Sequence, residues 1–381
     1  MTTAELVHEI LVTKATAFEK GRLFDRMHPL VGDGLSTAPR ETHRVHRRIV
    51  QPAFHQDRMS GYGGLISDHA HGIGASWQPG SVDDLWPELV EYSANNLAAT
   101  LFGRRLTDEA VAIARREVPL ILNIVVPRSF MPAMLDRLPL PINREFYGAC
   151  ARLRAAVKDA IATSRDNPQR NDFLSLLEEA SSGAADQRVA DEALVDHVVT
   201  MLMGGVDTVA STIAWSLYEL SRAPEIDQRL ATELQGGLPC AYLNQFLNEI
   251  TRLYSVVLLM RRATEPVVLG DVEIPAGTEV AFSLHALHRD PRYFPDPEKF
   301  DPDRWQAKTS ANIPRTGFIP FGAGNRKCIG DTFAWTEVSS SLSSIVPRWR
   351  FSPHPERRIT QQKLGIIPLP AAMPLTLTPR R

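Results

Sequence analysis

Cysteine is scarce in this chain of 381 residues. The three that occur, Cys150, Cys240 and Cys328, are too far apart for a zinc motif, and an odd count excludes a fully paired disulfide framework. That usage suits a reducing compartment, so a cytoplasmic location is expected. Surplus charge is also missing. The formal net charge is −2, which gives no bulk field for binding nucleic acid. Residues 1–9 lack a basic start followed by an apolar run, so no signal peptide is expected. Long apolar runs are absent: residues 120–126 are interrupted by Asn123 and fall short of the roughly 18 residues that suggest a membrane span. No membrane anchor is therefore expected. Internal repeats, low-complexity tracts and linkers are lacking too. Residues 1–381 are read as one functional unit, and nothing calls for a second copy, so a monomer is expected.

What is present is a globular composition, 44% hydrophobic and 23% charged. The first two thirds read as helices. Amphipathic runs cover 83–102 and 143–164, and the longest helix candidate covers 190–222 and stops before Pro224. Residues 127–141 are proline-rich and read as a mobile loop. Strand-like pieces come late, at 256–262, 266–274, 278–283 and 365–377. The fold class expected is α+β, mostly helical with small sheets.

The most specific feature is Phe321-Gly322-Ala323-Gly324-Asn325-Arg326-Lys327-Cys328-Ile329-Gly330. One cysteine sits on a glycine-punctuated loop, with two cations before it and a helix-like run, including Ala334, after it. Cations, a helix N-terminus or a metal favour the thiolate. A single Cys thiolate on a haem iron pushes electron density toward bound oxygen. A buried core cysteine on a tight turn is the plain alternative. A dinucleotide fingerprint fails because Lys327 stands where its third glycine belongs. The spacing F-G-x-G-x-R-x-C-x-G resembles the haem-ligand signature of the cytochrome P450 family, of the soluble bacterial type. That resemblance implies a P450-like fold with a long helix over a haem b, and Cys328 as the axial metal ligand. It also implies that Phe321, Gly322, Gly330 and Ala334 contact the cofactor.

Gly204-Gly205-Val206-Asp207-Thr208-Val209 lies inside the long helix candidate. Two glycines there cost about 1 kcal/mol each against alanine. Close approach of a flat cofactor and a small ligand would offset that cost; close helix packing is the alternative. Thr208 can bond the Gly204 carbonyl and bend the helix. The run resembles the family's oxygen-activation motif, which implies that Thr208 steadies oxygen bound at the iron and Asp207 gates proton delivery.

Glu249 and Arg252 stand one helical turn apart. The pattern E-x-x-R occurs four times, also at Glu19, Glu41 and Glu219, and most of those copies read as ordinary surface pairs. The order Glu249, Arg252, then Arg304, then Cys328 resembles the family's helix pair and meander arginine, and implies a buried structural triad. His43 and Arg47, at i and i+4, read either as a solvated helix face or as donors to haem carboxylates. The resemblance favours the second reading and adds Arg261 and Arg326. Arg44, Arg48 and Lys327 could face an acidic electron donor. His285 and His288 are read as structural. Trp215 and Trp305 are read as core rather than as an electron path.

Thr200, Met203, Gly204, Val257 and Leu258 are the candidate substrate-pocket residues, with the apolar segment 366–373. Few charges there suit a hydrophobic molecule. Residues 20–55 resemble terpenoid-oxidising bacterial members. The expected function is a haem-thiolate monooxygenase that inserts one atom of O2 into a hydrophobic natural product such as a terpenoid. Electrons would come from a ferredoxin and its reductase, since no flavin or iron–sulfur segment is visible. The alternatives are a peroxide-driven peroxygenase and a non-catalytic haem-thiolate sensor. Family members carry a further helix and strand pair ahead of the region where the resemblance begins near Glu5. Their absence predicts an exposed sheet edge near 278–283 and an open access channel.

Overall fold

The structure, a computed structural model, describes residues 3–103, 106–164, 172–181, 187–362 and 365–380. A helix from Gln187 to Arg222 runs through the middle. It packs against the helices Trp86–Phe102, Pro141–Ser164 and Asp331–Ile345. The reason is in its composition. Val198, Leu202, Val206, Ala210 and Ala214 are buried along one half of its circumference and Asp207, Ser211, Trp215 and Met201 along the other, so it needs neighbours on most sides. Among the described helices it alone has the length and hydropathy to cross a bilayer, and 78% of its apolar window is buried inside protein.

Among the described residues, ten short strands form four antiparallel sheets. β1 (Phe18–Lys20), β3 (Leu259–Ala263) and β6 (Glu279–Phe282) pair in the order β1-β3-β6. β2 (Gly80–Val82), β10 (Leu375–Pro379) and β7 (Trp349–Pro353) pair in the order β2-β10-β7. The remaining two are ribbons, β4 (Val267–Leu269) with β5 (Val272–Ile274), and β8 (Thr360–Gln361) with β9 (Pro370–Ala372). β6 is an edge strand, as the sequence implied. A large apolar core gathers the helices, and a smaller one joins residues 4–18 to the sheet of β3 and β6.

Two expectations need correction. The proline-rich stretch 127–141 is not all loop. The helix Asp108–Phe130 runs through both Pro119 and Pro127, held by Val118, Ile121 and Val125 in the core. Only 131–140 leaves it, through a 3-10 turn at Ala133–Arg137. The run 266–274 is a hairpin rather than one strand, because Gly270 takes φ +57° at its turn.

Candidate active site

The cysteine loop is built by its glycines. Gly322 and Gly324 adopt φ +73° and +69°, a region that excludes most side chains. A Cβ on Gly324 would also collide with the Leu11 carbonyl. The loop closes through the Cys328 N–H, which donates to the Phe321 carbonyl at 2.9 Å. The helix Asp331–Ile345 starts just after the cysteine. The Cys328 thiol opens onto an internal cavity of about 400 Å³. Burial pushes its pKa up, opposed by the Gly330 N–H directed at the sulfur.

Across the cavity lies the central helix. Gly204 presents bare backbone, and a Cβ there would touch nothing. Gly205 lines the cavity as well and also serves helix packing: its Cβ would come within 2.8 Å of Leu97. Helix packing thus accounts for Gly205, while Gly204 leaves open space over the cavity. Thr208 Oγ1 donates to the Gly204 carbonyl at 2.7 Å and lines the cavity. Asp207 points elsewhere. It is fully buried, does not line the cavity, and both its carboxyl oxygens lack partners among the described residues. Burial alone pushes its pKa up to about 7.

Cations border the same cavity. His43, Arg47, Arg261 and Arg326 all line it, as does Lys20, which sequence reading missed. Arg47 Nη1 donates to the Lys327 carbonyl at 2.7 Å, tying the helix Arg40–Val50 to the cysteine loop. Arg326 donates to the Ala38 carbonyl and to Glu19. Arg261 donates to its neighbour Met260's carbonyl. Lys20 and Arg261 face each other across β1 and β3; like charges at such positions repel. The Lys20 ammonium rests 3.8 Å from the centre of the Phe24 ring. Burial, then Arg261 and Arg326, hold its pKa well below the ordinary value. Burial followed by Arg326, Lys20 and Arg47 lowers His43 to about 3, so its imidazole is neutral. Arg44 and Arg48 are exposed, and Lys327 pairs with Asp331.

Glu249, Arg252 and Arg304 come together behind the loop. Glu249 and Arg252 are completely buried and Arg304 is 8% exposed. Arg252 grips Glu249 with two hydrogen bonds of 2.8 Å, and Arg304 adds one of 2.9 Å. The Trp305 indole and the Asp301 amide donate to the same carboxylate. His288 belongs to this support: its Nε2 accepts the Ile319 N–H ahead of the loop. The other E-x-x-R copies are not all surface pairs. Glu19 bonds Arg326 and the Arg40 amide, and Glu219 is buried and accepts from Tyr254 at 2.5 Å. Only Glu41 and Arg44 lie out in solvent.

On the apolar side, Thr200, Met203 and Gly204 line the cavity. Val257 and Leu258 do not; Val256 and Leu259 do. The Val257 N–H donates to the Ile366 carbonyl, and Ser283 donates to its carbonyl, which turns that residue outward. Ile367 is the member of 366–373 that reaches the cavity. Leu97, Phe54 and Phe333 complete its walls, and no single-sequence pattern marked them.

The cytochrome P450 family model matches residues 1–373. The chain is 34% identical to a cyclooctat-9-en-7-ol 5-monooxygenase of Streptomyces melanosporofaciens, over 92% of this chain and 79% of that protein. It is 33% identical to a pentalenene oxygenase of Streptomyces avermitilis, over 99% and 86%. The crystal structure of a cytochrome P450DA heme domain superposes with a TM-score of 0.83 at 24% identity, covering all of this chain and 87% of that one. With a whole-chain family match and relatives above 30% identity, this protein belongs to the cytochrome P450 family and is a monooxygenase of that family.

Proposed function

We propose that the cavity holds a haem b with Cys328 as its axial ligand, and that the enzyme oxidises a terpenoid. The observation that carries this reading is the opposition of one thiol and one glycine-bared helix across a single cavity edged with cations. The residues suit the group. Lys20, Arg261 and neutral His43 can donate to its two carboxylates, joined by what donor capacity Arg47 and Arg326 have left. Gly204 leaves room for a flat ring system. When bound, a thiolate-ligated haem supplies dioxygen activation and oxygen insertion.

The chain's own residues set the conditions. Thr208 holds its hydroxyl at the cavity, against the carbonyl of Gly204. Asp207, next to Thr208 in the chain but turned away from the cavity, keeps a proton near neutral pH in an apolar setting. Thr200, Met203, Val256, Leu259 and Ile367 give the ligand an apolar bed with few polar anchors. Terpenoid chemistry is supported by the relatives' names, which specify cyclooctat-9-en-7-ol and pentalenene. Electrons come from a ferredoxin and its reductase in the cytoplasm, and residues 1–381 act as one haem-thiolate unit.

The test is spectroscopic. Reduced holoprotein under carbon monoxide should show the red-displaced Soret band of sulfur ligation, and Cys328→Ser should abolish it. A panel of terpenes should then shift the spin state of the oxidised protein, where macrolides and fatty acids do not. A normal Soret band in Cys328→Ser overturns the ligand assignment.

A further inference from the structure

Three aromatic rings lead from the cavity toward the surface. Tyr254 lines the cavity. Its ring stacks on Trp215 with centroids 4.4 Å apart and planes 6° from parallel. Trp215 meets Tyr218 edge-on at 5.5 Å. Tyr218 is partly exposed, and its hydroxyl accepts from exposed Arg222 at 2.9 Å. These contacts follow from the chain. Trp215 and Tyr218 are one turn apart on the central helix, and Tyr254 caps the helix Ala241–Leu253 that packs beside it.

The hydrogen bonding of Tyr254 sets it apart from an ordinary core tyrosine. Its hydroxyl donates at 2.5 Å to Glu219, a buried carboxylate. A phenol loses an electron readily only when its proton leaves too, so a carboxylate in contact lowers the barrier to oxidation. The Glu219 pKa is raised first by burial, which makes it a competent proton acceptor. The Trp215 indole is held in place by donating to the Pro368 carbonyl at 2.5 Å.

We propose that Tyr254, Trp215 and Tyr218 form a relay that drains oxidising equivalents from the cavity to the surface when no substrate takes the oxygen. The inference rests on the reading of the cavity as a haem site. In the first step Tyr254 gives one electron to the oxidised cofactor, and its O–H proton passes to Glu219. Trp215 then returns an electron to Tyr254, and the proton comes back from Glu219. Finally Tyr218 reduces Trp215 and loses its own proton to water, since cationic Arg222 cannot accept it. A thiol or ascorbate in solution restores Tyr218 with one hydrogen atom. The net change is one hydrogen atom lost by the reductant, one electron delivered to the cofactor and one proton released to water. Trp215 thus has a role beyond packing.

The experiment uses holoprotein without organic substrate, mixed with hydrogen peroxide and frozen within milliseconds for electron paramagnetic resonance. Wild type should give a tyrosyl signal. Tyr254→Phe should abolish it and speed bleaching of the haem, although the ring stack is preserved. Trp215→Phe should confine the radical to Tyr254: ring-deuterated tyrosine shows that the signal is tyrosyl, and adding Tyr254→Phe to Trp215→Phe should remove it. Glu219→Gln should lower the radical yield while leaving the stack intact, a change that a purely structural role would not produce. The relay is overturned if Tyr254→Phe keeps the wild-type signal and bleaching rate. The carbon monoxide spectrum of the same samples separates the two readings. A normal sulfur-ligated band without any radical sinks the relay alone; an absent band sinks the haem reading and the relay with it.

Discussion

Replacing Glu249 by alanine should leave a chain that cannot keep haem. The carboxylate is completely buried and accepts from Arg252 twice, from Arg304, from the Trp305 indole and from the Asp301 amide. Removing one member of a buried ion set costs about 3–5 kcal/mol, because the remaining charges stay buried without a partner. Two further donors, Trp305 and Asp301, lose their acceptor at about 1–3 kcal/mol each. The sum is comparable with a whole domain's net stability of about 5–15 kcal/mol. Glu249→Gln keeps the shape but turns an NH2 toward two guanidiniums, so about 3 kcal/mol should still be lost. The assay is urea unfolding followed by circular dichroism, with haem content measured by pyridine haemochrome. Glu41→Ala is the control: it breaks the same sequence pattern at an exposed site and should stay within about 0.5 kcal/mol of wild type. A Glu249→Ala protein with full haem and less than about 1 kcal/mol of destabilisation would refute the reasoning.

Further outcomes follow from other parts of the site. Thr208→Ala should retain haem yet lose product while still consuming oxygen, because the hydroxyl bonded to Gly204 is gone; unchanged coupling of oxygen to product would argue against it. Asp207 has a folded pKa near 7 against an ordinary 3.8. The folded chain therefore holds a proton that the unfolded chain has released, and stability should fall as pH climbs between those values, by at most about 1.4 kcal/mol per unit, and level off above. Asp207→Asn should flatten that slope in urea melts from pH 5 to 8, and parallel curves would exclude the assignment. Lys20→Gln should hasten haem transfer to apomyoglobin, whereas Lys20→Arg should not; equal transfer rates for wild type and Lys20→Gln would remove Lys20 from the cofactor's donors.

The legible parts of this molecule were those whose chemistry sits in adjacent residues. Cys328 and its glycines, the Gly204 to Thr208 run, and the three charged members around Glu249 could all be picked out because spacing along the chain carries their geometry. What escaped depends on where distant segments meet. Lys20 looks like any surface lysine until strand register sets it opposite Arg261. Glu19 and Glu219 looked like spare E-x-x-R copies, yet each turns to a partner far along the chain, Arg326 and Tyr254. Val256 and Leu259 replaced Val257 and Leu258 at the cavity because the chain bends at residue 257 before the strand begins at Leu259, so no regular alternation applies there. Which face points inward was decided by backbone pairing with Ile366. The helix through Pro127 was missed for a related reason: core packing overrode the local signal of a breaker.

The cations around the cavity connect cofactor binding to folding. Arg326 has Glu19, and Arg47 has the Lys327 carbonyl. Lys20 and Arg261 form no ion pair among the described residues and confront each other across two strands. Burial lowers the pKa of Arg261 to about 10 and that of Lys20 well below its ordinary value. The charged forms of both residues are therefore disfavoured in the protein alone. A dianionic ligand entering between them converts that repulsion into attraction, and its binding free energy adds to the stability of whatever arrangement holds them in register. β1 supplies Lys20 and packs residues 4–18 against the second apolar core, while β3 supplies Arg261 and leads back to the helix bearing Glu249. Such a ligand would add a further tie between the N-terminal segment and the charged triad, beside the apolar core that already packs residues 4–18 against β3 and β6. Loss of the ligand should be felt first in the pairing of β1 with β3, because that is where uncompensated charge is concentrated.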